Sequence, residues 1–178
     1  MPLKTLMSWL GVAETAAPGP ENAPLRDLVA SLDKLEPERA RSLARFAYLL
    51  GRVALADRHV SPEETEAMER LVAGHAQLSA DQATMVVGLA KNSNLLFGGT
   101  AYFAVAQEFA EAAAYEEKLA LARCLFTVAV ADEKISLFEE TEIHRILNHL
   151  KILPQDLTAL RVQHAHRLPG LTPTKPTG

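Results

Sequence analysis

Residues 49–72, LLGRVALADRHVSPEETEAMERLV, align with residues 124–147, CLFTVAVADEKISLFEETEIHRIL, at a shift of 75. Identities fall at Val53/Val128, Ala54/Ala129, Ala56/Ala131, Asp57/Asp132, Ser61/Ser136, Glu64/Glu139 and Arg70/Arg145. Val60/Ile135 and Leu71/Ile146 are close replacements. The shared pattern is V-A-x-A-D-x-x-[VI]-S-x-x-E. In each copy an apolar helical stretch runs into a polar turn, and a second helical pattern follows. Two hairpins of one design predict an all-α protein, a pseudo-two-fold bundle in which the two turns lie near each other.

The rest of the chain agrees with that class. Leu43, Phe46, Ala47, Leu50, Val53 and Ala54 fall on one helical stripe. Leu121, Ala122, Leu125, Val128 and Ala129 form another, widened by Leu119 and Phe126. Helix openings are expected at Pro37, Ser61-Pro62, Ser79, Glu116, Ser136 and Pro154, with a break at Gly98-Gly99 before a helix over 101–113. That makes about seven helices, and no alternating β-branched run competes with them. Residues 1–24 read as a short apolar segment and an Ala/Pro/Gly linker, 25–168 as the helical domain, and 169–178 as a disordered tail.

Composition narrows the function classes. With 48% hydrophobic and 22% charged residues, the chain belongs with ordinary globular proteins. A formal charge of -4 and scattered Lys and Arg argue against nucleic acid, which needs a concentrated basic face. The lone Cys124 sits in an apolar run and reads as a small buried hydrophobe, not a nucleophile. No apolar stretch is long enough to span a bilayer and no secretory leader is legible, so a cytoplasmic location is expected.

The turns admit two readings. Ser61 and Ser136 fit helix N-caps, and Glu64 and Glu139 fit the third helical positions of capping boxes. That accounts for Ser and Glu without a ligand. Asp57 and Asp132 are different, because they fall near helix C-termini, where the macrodipole disfavours negative charge. A cation would compensate them, and so would a turn closed through the aspartate side chain. Asp57, Glu64, Asp132 and Glu139 together would form a hard oxygen site suited to Ca²⁺, Mg²⁺ or Mn²⁺. His59, inside the first turn, is a further candidate ligand but reads better as a solvated loop residue.

The doubled A-D-x-x-[VI]-S-x-x-E motif resembles the TerB-like domain of tellurite-resistance and related bacterial proteins, over residues 37–166. The resemblance implies an all-helical pseudo-symmetric fold and a divalent-metal site at Asp57, Glu64, Asp132 and Glu139. Family members commonly carry glycine after the aspartate, where this chain has Arg58 and Glu133.

Other sites do not fit. An EF-hand loop counted from Asp57 or Asp132 meets Pro62 or Leu137 where glycine is required. Glu-x-x-His pairs, H-E-x-x-H, P-loop and G-x-S-x-G signatures are absent from the chain. The expected function is therefore non-enzymatic: a metal-binding scaffold or interaction module in bacterial stress response, with an unidentified protein partner. A metal-independent helical interaction module is the alternative, and a metal-dependent hydrolase a distant third. Leu3, Leu6, Met7 and Leu10 form an N-terminal apolar stripe that can dock on its own domain, on a partner or in a homodimer; a membrane role is not expected from its single lysine. His164 and His166 are expected to face solvent.

Overall fold

The computed structural model describes residues 34–132, 135–165 and 168, with backbone alone over 96–100. The expectations for residues 1–24 and 169–178, and for Glu133 and His166, lie outside the described residues. Six α-helices are found among those described: α1 Pro37–Ala54, α2 Pro62–Ala76, α3 Ala80–Ala112, α4 Tyr115–Ala129, α5 Leu137–His149 and α6 Pro154–Gln163. No strand occurs among them, so the all-α expectation holds.

Local chemistry sets most boundaries. Pro37, Pro62 and Pro154 each open a helix, where a missing N–H costs nothing. Ser61, Ser79 and Ser136 cap α2, α3 and α5, each within a reciprocal capping box. The first turn of α4 is closed by Glu117, whose carboxylate accepts the Ala114 N–H at 2.8 Å. The Tyr115 hydroxyl anchors α6, accepting from Leu153 N at 3.1 Å and donating to Asp156 at 2.6 Å.

The two helices expected on either side of Gly98-Gly99 are one continuous element, and the glycine pair does not interrupt it. It is nevertheless not straight. At 33 residues, α3 would measure about 50 Å if straight. Yet Ala80 and Ala83 share a cavity wall with Ala73 of α2, while Ala112 shares another with His75. Both ends of α3 therefore lie by the C-terminal turn of α2. The reversal falls between Asn94, bonded to the Tyr48 carbonyl, and Glu108, bonded to Arg45. That interval contains the glycine pair, and glycine is among the usual causes of a sharp helix bend.

The core forms around α1 and α4. From Leu43 to Leu50 every residue of α1 is buried, and Gly51, Val53 and Ala54 continue the run. All the residues of both expected stripes are buried. The helices α2, α3, α4 and α5 all pack on α1. The N-terminal turns of α1 and α4 line one cavity, through Glu38, Ser42 and Glu117, so these two helices run in the same direction. Cys124 is half-buried against the core and burial pushes its thiol pKa up, as expected of an inert thiol. His164 does not simply face solvent: its ring stacks on Phe126 at 5.1 Å.

Two polar ties cross the core, and neither was visible in the sequence. Arg52 of α1 donates through Nε and Nη2, at 3.0 and 2.8 Å, to Glu142 Oε1 of α5. Asn94 donates to the carbonyls of Tyr48 and Ala90, both at 3.0 Å. Gly51 makes room for that amide: a Cβ there would lie 2.8 Å from Asn94 Nδ2. Gly74 of α2, by contrast, has nothing within 4 Å of its Cβ position. The two glycines are expected to respond with opposite sign. Gly74→Ala should stabilise by up to about 1 kcal/mol through helix propensity. Gly51→Ala should destabilise by about 1–2 kcal/mol, because displacing Asn94 breaks bonds to buried carbonyls. Urea denaturation of both variants measures the pair.

Candidate functional site

The first turn begins where α1 runs out of intrahelical acceptors. Leu55 N bonds Gly51 O at 3.0 Å, Ala56 N bonds Val53 O at 2.9 Å, and Arg58 N bonds Leu55 O at 3.0 Å. The second turn repeats this at the aligned positions, with Val130 N to Phe126 O and Ala131 N to Val128 O, both 3.0 Å. The capping boxes match as closely. Ser61 N donates to Glu64 Oε2 at 2.7 Å and Glu64 N to Ser61 Oγ at 3.1 Å. Ser136 N donates to Glu139 Oε2 at 2.7 Å and Glu139 N to Ser136 Oγ at 3.1 Å. The likeness ends beyond the hairpins, since 33-residue α3 follows the first and 10-residue α6 follows near the second.

The two turns meet through their glutamates. Glu64 and Glu139 are both buried, at 3% exposure, and their carboxyls hydrogen-bond to each other. Two carboxylates cannot do so without a proton between them. Burial pushes Glu139 up to about 7, the charge and hydrogen bond of Glu64 add to the rise, and the Ser136 hydrogen bonds oppose it. Burial also raises Glu64, against the Ser61 and Glu139 hydrogen bonds, and the nearby Asp132 charge adds to the rise. A carboxyl pair sharing one proton is the expected result when like charges meet in a desolvated place.

Three of the four expected residues thus act on one another: Glu64, Glu139 and Asp132. Asp57 is occupied differently. Its Oδ1 accepts the His59 N–H at 2.9 Å, closing the turn through its own side chain, and it is exposed. Arg58 adopts φ 69°, the left-handed conformation that glycine takes most easily, which gives a physical reason for glycine after the aspartate in the resembling motif. His59 is exposed. Among the described residues no group of three or more His, Cys, Asp or Glu side chains is arranged to hold a metal ion. The donor chemistry suits a hard cation, but Asp57 is engaged with the His59 N–H and not with the glutamate pair.

A family model described as tellurite resistance protein TerB matches residues 43–162. Neither a curated protein nor a solved structure matches the chain. No described helix is long and apolar enough to cross a membrane.

The shared proton has a consequence for stability. Glu139 holds its proton more tightly in the folded chain than at its ordinary 4.5. The stabilisation this gives is complete below about 4.5 and is lost as the pH rises through about 7. Glu139→Gln imitates the protonated carboxyl and does not titrate. In chelator, its stability should match that of the parent below about pH 4.5 and exceed it increasingly as the pH rises to about 7. Chemical denaturation across that range tests this; parallel curves would show that the pair shares no proton.

Proposed function

Because the chain belongs to the tellurite-resistance TerB family, we propose that it is a non-enzymatic module whose paired acidic turns take up a divalent cation. The observation that carries the reading is the burial of Glu64 and Glu139 against each other, with the Asp132 charge acting on Glu64. A buried carboxyl pair that must hold one proton to coexist is already a place for positive charge. The Glu64 and Glu139 oxygens would give up that proton to ligate Ca²⁺, Mg²⁺ or Mn²⁺, with Asp132 and Asp57 completing an all-oxygen set. Uptake would release a proton and lock the N-termini of α2 and α5 together. The face so stiffened would serve a cytoplasmic protein partner as a scaffold in bacterial stress response.

A second reading rests on a specific observation as well. Asp57 is spent on its own turn and both glutamates are spent on capping boxes. On that reading the turns are architecture alone, and the protein is a metal-independent helical interaction module.

Calorimetric titration of Ca²⁺, Mg²⁺ and Mn²⁺ into chelator-stripped protein separates the two. Saturable binding is expected, weakening as the pH falls below about 7 because a proton competes. It should be lost in Glu64→Gln/Glu139→Gln and strongly weakened in Asp57→Asn/Asp132→Asn. No heat and an unchanged melting temperature at millimolar metal would leave the architectural reading standing.

A further inference from the structure

The first turns of α2 and α5 are alike in every capping contact, yet the residues they present outward are opposite in kind. In α2 the first two positions are Pro62 and Glu63, the types a helix start favours. In α5 they are Leu137 and Phe138, each 65% exposed. Nothing in helix capping calls for two large apolar side chains there, and leaving both in water is unfavourable. They stand beside Glu139, on the end of the bundle that also carries the exposed Asp57, Glu63 and Asp132, with Arg58 as a counter-charge. Among the described residues, this end of the bundle thus exposes two large apolar side chains together with three carboxylates and one guanidinium.

We propose that this face is the docking site for the chain's own N-terminal segment, residues 3–10. That segment carries Leu3, Leu6, Met7 and Leu10 at helical spacing, with Trp9 beside them, and residues 1–11 contain Lys4 and no carboxylate. Apolar matches apolar, and the lysine meets the carboxylates. The distance also fits. The described chain starts at Lys34, at the end of α1 remote from the acidic turns. The 18 residues of α1 separate that entry from the face by about 27 Å. Residues 11–33 connect the segment to the entry, and a chain of that length can reach about 75 Å when fully extended, more than the distance to the face. Among the described residues the other exposed aromatic ring, Phe103, is a poorer host. It opens on a cavity of about 460 Å³ lined by Lys118 and Lys151 as well as Glu111, and its ring is already covered on one edge by His149.

Docking here would cover the end of the bundle that holds the acidic turns, so the segment would compete with any partner for that face. The proposal stands whether or not the turns bind metal, and its test is run in chelator.

Trp9 is the chain's single tryptophan, so its fluorescence reports on this segment alone. In the full chain, Trp9 emission should be blue-shifted and shielded from acrylamide relative to the urea-unfolded protein, independent of protein concentration. Leu137→Glu/Phe138→Glu should move the emission to the red and expose Trp9, while helical circular dichroism and melting are retained. Phe103→Ser should leave Trp9 shielded. Lys4→Glu, which changes no residue of the helical domain, should weaken the shielding, most visibly at low salt. Trp9 as exposed in the parent as in the unfolded chain would overturn the proposal. So would shielding that survives both the Leu137/Phe138 and Lys4 changes, or that disappears on dilution, which would place the segment on a second copy.

Discussion

Everything in this bundle is arranged around a helix walled in on nearly every side. Leu43 to Leu50 of α1 are buried without interruption, so α1 cannot spend a face on solvent, and four other helices must cover it. Its only contacts with water are at its ends. α4 runs beside it in the same direction, with seven of its residues buried. Two central helices running in parallel deliver their C-terminal turns to the same end of the molecule. That constraint brings Glu64 and Glu139 together, and it is a property of core packing and not of the turns.

The meeting has an electrostatic cost that shapes the local chemistry. Each glutamate is needed where it is, because its Oε2 satisfies an otherwise orphaned N-cap N–H. Each also complements the positive end of its helix. Neither can be moved away without losing a cap, and both cannot be charged in a buried contact. A shared proton resolves the conflict in the free protein, with Glu139 pushed up to about 7. A cation would resolve it equally well, so the acid pair is both a capping device and the best candidate for a binding centre. The aspartates divide differently: Asp132 acts electrostatically on Glu64, while Asp57 closes its own turn.

The two hairpins agree where geometry is demanded and differ where it is not. Backbone bonds and capping distances agree between the copies to within about 0.1 Å, because a helix stop followed by a capping box has few solutions. Outward-facing positions are released from that demand. Pro62-Glu63 against Leu137-Phe138 is the clearest divergence, and it gives the second hairpin an apolar surface that the first lacks. Arg58 shows the reverse case, a geometrically demanding position occupied by a residue that must adopt left-handed backbone at some cost.

The sequence by itself determined what local chemistry controls. Periodicity identified the buried stripes of α1 and α4, Ser and Pro placed the helix starts, and the repeat identified the acidic turns and their capping boxes. These depend on residues within one or two turns of one another, so they are legible without a partner in space. The sequence could not say that Glu64 would touch Glu139 across 75 positions, that Asp57 would turn back on His59, or that Arg52 and Asn94 would tie distant helices. It also placed a break at Gly98-Gly99, where the structure has one helical element that bends. Glycine propensity weakens a helix by about 1 kcal/mol per residue, and packing both halves of α3 against α1 outweighs that. Long-range packing chose which of the locally allowed options each of these groups takes, because burial makes an unpaired polar group or an uncovered apolar face more costly than any local preference.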